Sequence, residues 1–158
     1  MRAIDLIIPG ILVWLLQLTT SDLLAIDTVR PDFCVILILF WSIMHGRLIG
    51  TVTGFIMGLI LDISGTGLFF GLSPLIYSIT GYLGGNLKGI ILRINTFYFT
   101  LSWVAILLFQ FFIYCGVQYQ SLWVLDQNLF LGKWVGTSAY SLAFAGILQF
   151  IYPFDRIK

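Results

Sequence analysis

Long apolar runs separated by short polar or glycine-rich turns set the pattern of this chain. The first run, residues 4–18, passes into Thr, Ser and Asp rather than a small-x-small cleavage site, so it reads as an uncleaved span. A charged connection follows, with Asp22, Asp27, Arg30, Pro31 and Asp32. The second run covers residues 33–44; Thr28 or Asp27 is placed to cap it, and Pro31 suits a first helical turn. His45, Gly46 and Arg47 form a tight turn into the third run, residues 48–63. A turn at 64–67 leads to the fourth, residues 68–85, which Pro74 is expected to kink. The fifth run covers 95–117. The stretch QYQSLWVLDQNLFLGK is only moderately apolar and reads as an outer loop. It is expected to hold a short interfacial helix, with Leu122, Trp123, Leu125 and Phe130 dipped in lipid or a partner. The sixth run, residues 134–152, has Trp134 and Tyr152 at its ends, where membrane-interface aromatics belong.

Glycine sharpens the third and fourth runs. Gly50, Gly54, Gly58 and Asp62 recur every fourth residue, which on a helix keeps them along one slowly drifting stripe. Gly81, Gly85 and Gly89 repeat the spacing after the turn. Such stripes let another backbone approach closely. They serve packing inside one bundle or a seam with a second copy or a partner helix. Asp62 is the only acid between Phe33 and Leu125.

Composition fixes the solvent. At 59% hydrophobic and 9% charged over 158 residues, the chain has too few polar groups to clothe a soluble globule, where charged residues are about 25%. The expected architecture is one all-α domain over residues 1–158, a bundle of six transmembrane helices. Six spans put both termini on one side. That side carries Arg2, Arg47, Lys88, Arg93, Arg156 and Lys158, against Arg30 and Lys133 on the other. The positive-inside rule therefore places both termini in the cytoplasm, and puts Arg30, Asp32 and Asp62 at the outer surface. No basic patch points to nucleic acid.

The chemistry available is sparse. Glu is absent and His45, in a tight turn, is the sole histidine, so little is left for metal sites or His-based acid–base work. Cys34 and Cys115 lie in apolar runs without metal-ligand spacing and read as small buried residues rather than a disulfide. Asp62 has three readings: tying down the 64–67 turn, an interface role, or a proton relay lacking a mid-span partner. Asp32 either stabilises a first helical turn or acts at the outer surface. Ser73, Ser78, Thr80, Gln110 and Gln149 either line a small-molecule cavity or bond between helices. No nucleophile, base and orienter come together. Neither an enzyme nor a cofactor is expected.

The order of motifs is more specific than any one of them. A short first span precedes RPDF, a tight HGR turn, GxxxGxxxGxxxD, GTGLFFGLSPL and GYLGG. This order, in a six-span chain of this length, resembles the rod-shape-determining protein MreD family over Arg30 to Gly85. The matching positions are Pro31, Asp32, Phe33, Gly54, Gly58, Asp62, Gly67, Gly71 and Gly81. The resemblance implies an inner-membrane subunit of the cell-elongation machinery. It implies association with MreC and, through it, with MreB, RodA and its transpeptidase. It also implies a fold similar to the substrate-binding subunit of energy-coupling-factor transporters. No catalytic residue carries over. The competing reading is a vitamin-type small-molecule binding subunit of a transporter.

Overall fold

The computed structural model describes residues 4–20, 23, 30–64, 69–90, 93 and 95–151. They form seven helices: α1 (Ile4–Thr20), α2 (Phe33–His45), α3 (Arg47–Ile63), α4 (Leu72–Asn86), α5 (Thr96–Gln118), α6 (Gln120–Leu125) and α7 (Gln127–Ile151). No strand occurs among the described residues.

The second helix is the axis of the packing. Its sequence, FCVILILFWSIMH, is apolar on every side, the signature of a helix surrounded by others. Cys34, Val35 and Ile38 are fully enclosed, and α1, α3, α4 and α7 all pack on it. It ends at Gly46, whose φ of 96° lies in the left-handed region that glycine enters at no steric cost. The Gly46 N–H donates to the Ser42 carbonyl at 2.7 Å, and α3 starts at the next residue.

The most extensive helix pair is α3 on α4, and its closeness depends on missing side chains. A Cβ at Gly54 would run into the Tyr77 carbonyl, one at Gly58 into the Pro74 backbone, and one at Gly85 into the Arg47 backbone. Gly50 and Gly81 face each other's backbone. Ser42 of α2 fills the notch between them: Cβ atoms on Gly50 or Gly84 would collide with it. The notch therefore closes three helices at one point. Gly89 is different, with φ 78° in the turn after α4 and open space around its Cα.

Several expectations are corrected. Pro74 does not interrupt a helix. Since α4 starts at Leu72, Pro74 is its third residue, where the missing N–H has no intrahelical acceptor to lose. The last helix begins seven residues before Trp134, at Gln127, because the Asp126 carboxylate caps it through Asn128 N at 3.0 Å and Leu129 N at 3.2 Å. Trp134 then lies inside α7, donating from Nε1 to the Leu108 carbonyl of α5 at 3.2 Å. Tyr152 lies outside the described residues. A short helix does occupy the predicted loop, and its Trp123 packs edge-on against Phe130 at 4.8 Å. Phe130 itself is fully enclosed by protein, held among Phe112 and Trp123.

Among the described residues, fewer helices than the six expected have the length and hydropathy of a full span. Among the described residues, α5, with 23 residues, is the one helix long and apolar enough to cross a membrane. The first four helices have 13 to 17 residues, short of the ~20 that a bilayer core requires. Yet Val52, Phe55, Leu75, Leu101, Val135 and Ile147 on four of the helices are each about half exposed. That is far more outward apolar surface than a soluble monomer carries.

Candidate functional site

Four helices meet at Pro31-Asp32-Phe33. Asp32 lies in the connection before α2 with an extended backbone, φ −109° and ψ 94°, which folds its carboxylate back over the first helical turn. Oδ1 accepts from the Val35 N–H at 3.0 Å, satisfying one of the donors that every helix start leaves open. Oδ2 accepts from the Tyr77 hydroxyl of α4 at 2.6 Å. The Asp32 N–H donates to Ser141 Oγ of α7 at 3.2 Å. Gln17 of α1 completes the hub: its Nε2 donates to the Pro31 carbonyl at 3.0 Å, and its Oε1 accepts from the Phe33 N–H at 2.8 Å. The Phe33 ring meets Phe144 of α7 edge-on at 5.1 Å.

Burial raises the Asp32 carboxyl above its ordinary value of 3.8, outweighing the Tyr77 hydroxyl and the Val35 and Cys34 N–H groups, which lower it. Loss of water around the carboxylate thus exceeds what its hydrogen bonds return.

Asp62 repeats the device at the other helix start. It is buried, 8% exposed, and Oδ2 accepts from the Gly71 N–H at 2.5 Å. Gly71, at φ 97°, is the residue from which α4 departs. A carboxylate at a helix N-terminus also meets the positive end of the backbone dipoles. Residues 65–68 of the turn that Asp62 is expected to tie down lie outside the described residues; the contact the structure shows is with Gly71 at the α4 start.

The structure therefore treats the three polar residues expected at the outer surface differently. Arg30 is exposed. The Asp32 and Asp62 carboxylates turn inward, because each lies beside helix-start N–H groups that need an acceptor. The glycines Gly50, Gly54, Gly58, Gly81 and Gly85 are occupied by this chain's own α2, α3 and α4.

The remaining polar candidates do not converge. Ser78 and Thr80 bond back to the Pro74 and Ile76 carbonyls within α4. Gln149 Nε2 reaches Thr100 Oγ1 of α5 at 3.3 Å. Gln110 is buried in α5 with neither amide atom bonded among the described residues. Cys34 and Cys115 are both free and buried. Among the described residues no cluster of three or more His, Cys, Asp or Glu is placed to hold a metal ion.

Three hub residues escaped the sequence reading: Gln17, Tyr77 and Ser141. Each carries a signal in retrospect. Gln17 is the one amide in an apolar first run, and Tyr77 lies four residues before Gly81 on the same helix face. Ser141 ends a Thr137-Ser138-Ser141 stripe at helical spacing, all three buried.

Comparison with curated proteins and with solved structures returned no match. The family model described as rod shape-determining protein MreD matches residues 4–154. That span takes in the RPDF hub, both glycine stripes, Asp62 and the two long helices α5 and α7. The chain belongs to the MreD family of rod shape-determining membrane proteins.

Proposed function

We propose that this chain is a non-catalytic scaffold subunit of the bacterial cell-elongation complex, one six-span domain in the inner membrane with both termini in the cytoplasm. Its direct partner is MreC, and through MreC it acts with MreB, RodA and its transpeptidase in placing peptidoglycan synthesis. The observation that supports this reading most is the use of polar groups. Gln17, Asp32, Tyr77, Ser141 and Asp62 are spent on fixing helices to one another. Such a bundle holds its outer faces in a fixed relation, which is what a scaffold has to offer a partner. A homodimer, if formed, uses a surface other than the glycine stripes, which the chain fills itself.

Depletion in the native host tests the reading. Rods are expected to round up on depletion and to recover on re-expression. Unchanged rod shape after complete depletion would contradict it.

The transporter reading draws no comparable support. A cavity between α1, α2, α5 and α7 is lined by apolar side chains apart from the Trp103 indole N–H and the Gln149 amide. A polar vitamin needs several convergent hydrogen-bonding groups.

A further inference from the structure

The end of the bundle opposite the RPDF hub carries cations without carboxylate partners. Arg47 opens α3 where α4 finishes, its backbone packed against Gly85. The Arg47 guanidinium does not reach away from the helix end. It lies over the Tyr82 ring, 5.9 Å from the centroid. Tyr82 is three residues back along α4 from Gly85, about 4.5 Å nearer the middle of the bundle. Lys88, just after α4, lays its side chain against Gly46 and donates from Nζ to the His45 carbonyl at 3.0 Å. That uses one of three ammonium donors. Both cations are exposed, as is Arg93 in the same connection.

Most acids lie at the other end. Asp32 precedes α2 and Asp62 is near the close of α3, both remote from His45 and Arg47 along those helices. Asp126 caps α7 on the hub side of Ser141. Asp5 is the one described acid toward the Arg47 end, since α1 runs antiparallel to α2 with Gln17 at the hub and Gly10 beside Trp41. Arg47, Lys88 and Arg93 therefore outweigh it.

This charge stands at the edge of an apolar face. Leu75, Ile79 and Tyr82 form an outward row along α4, 58%, 37% and 49% exposed; their spacing keeps them on one side of the helix. Leu48, beside Arg47, starts a similar row with Val52 and Phe55 on α3. In a membrane such rows face hydrocarbon, and a tyrosine at the row's end marks the headgroup level. A guanidinium folded back to that level, weakly hydrated and without a carboxylate, complements a lipid phosphate.

We propose that the Arg47–Tyr82 pair binds the headgroup phosphate of an anionic phospholipid, with Lys88 adding charge beside it and an acyl chain along the Leu75, Ile79 and Tyr82 row. The site rests on the family's membrane setting and not on the identity of any protein partner.

Native mass spectrometry of the full chain in mild detergent, titrated with phosphatidylglycerol or zwitterionic phosphatidylethanolamine, tests this. The wild type is expected to retain phosphatidylglycerol in preference. Arg47→Gln is expected to retain it about fivefold less, the effect of one interfacial charge. Arg30→Gln, at the hub end, is expected to retain it normally. Equal retention of the two lipids by the wild type, or unchanged retention by Arg47→Gln, overturns the proposal. So does displacement of phosphatidylglycerol by soluble polyglutamate, which would assign the patch to an acidic protein segment. A second measurement needs no variant: the wild type in bilayers is photolysed with phosphatidylglycerol carrying a diazirine at the glycerol end of its acyl chain. Label concentrated on Leu48 and Tyr82 supports the proposal. Label no heavier there than on Tyr98, exposed in the first turn of α5, overturns it.

Discussion

At the scale of single residues, Asp32 carries more than its position in a loop would predict. It caps α2 and holds the Tyr77 hydroxyl with the same carboxylate. Asp32→Ala removes the cap, worth about 1 kcal/mol, and leaves the buried Tyr77 hydroxyl without its acceptor, about 1–3 kcal/mol more. Asp32→Asn keeps one acceptor oxygen for the Val35 N–H and offers its amide N–H to the Tyr77 hydroxyl oxygen, so it should cost less than Asp32→Ala. Thermal unfolding in detergent separates the two, and equal losses would show that the hydrogen bonds of Asp32 contribute nothing. The raised Asp32 carboxyl gives a second expectation. A carboxyl that is harder to ionise in the folded state than in the unfolded one penalises folding above its folded pKa. That penalty is relieved as pH falls through the folded pKa toward 3.8. Wild type should therefore gain stability relative to Asp32→Asn as pH falls from neutral. A constant difference across that range would contradict the expectation.

At the scale of elements, the α3–α4 pair is where sequence and structure agree most closely. Gly54→Leu and Gly58→Leu each drive a side chain into neighbouring backbone. Their cost should reach or pass the upper end of the ~1–3 kcal/mol typical of overpacking. Gly116→Leu, with open space around it, should leave the fold intact. Size-exclusion profiles and unfolding temperatures of the three variants give the comparison; similar behaviour would mean the stripe faces no helix. The four-residue spacing of glycine made this seam legible, because spacing along one helix fixes a face without knowledge of its partner. The hub was not legible, since Gln17, Asp32, Tyr77 and Ser141 come from four separate runs and only folding brings them together. Register hid Gly84, which falls outside both regular series yet faces Ser42. Hydropathy also misplaced the start of α7, because the Asp126 cap extends the helix through Gln127 and Asn128, which read as a loop by polarity alone.

At the scale of the whole molecule, charged side chains are few and the carboxylates of Asp32 and Asp62 are used internally. What remains outward on α3, α4, α5 and α7 is largely apolar, as suits a protein whose surroundings are lipid and other membrane helices. The proposed scaffold role follows from a bundle whose inner contacts are fixed and whose outer faces are free for partners. The most direct test is recovery of MreC with an affinity-tagged copy of this chain, purified from native-host membranes in mild detergent and measured against an abundant unrelated membrane protein. The account predicts clear enrichment of MreC with the wild type and its loss with Gly58→Leu. Recovery of MreC no greater than that of the bystander protein would contradict it.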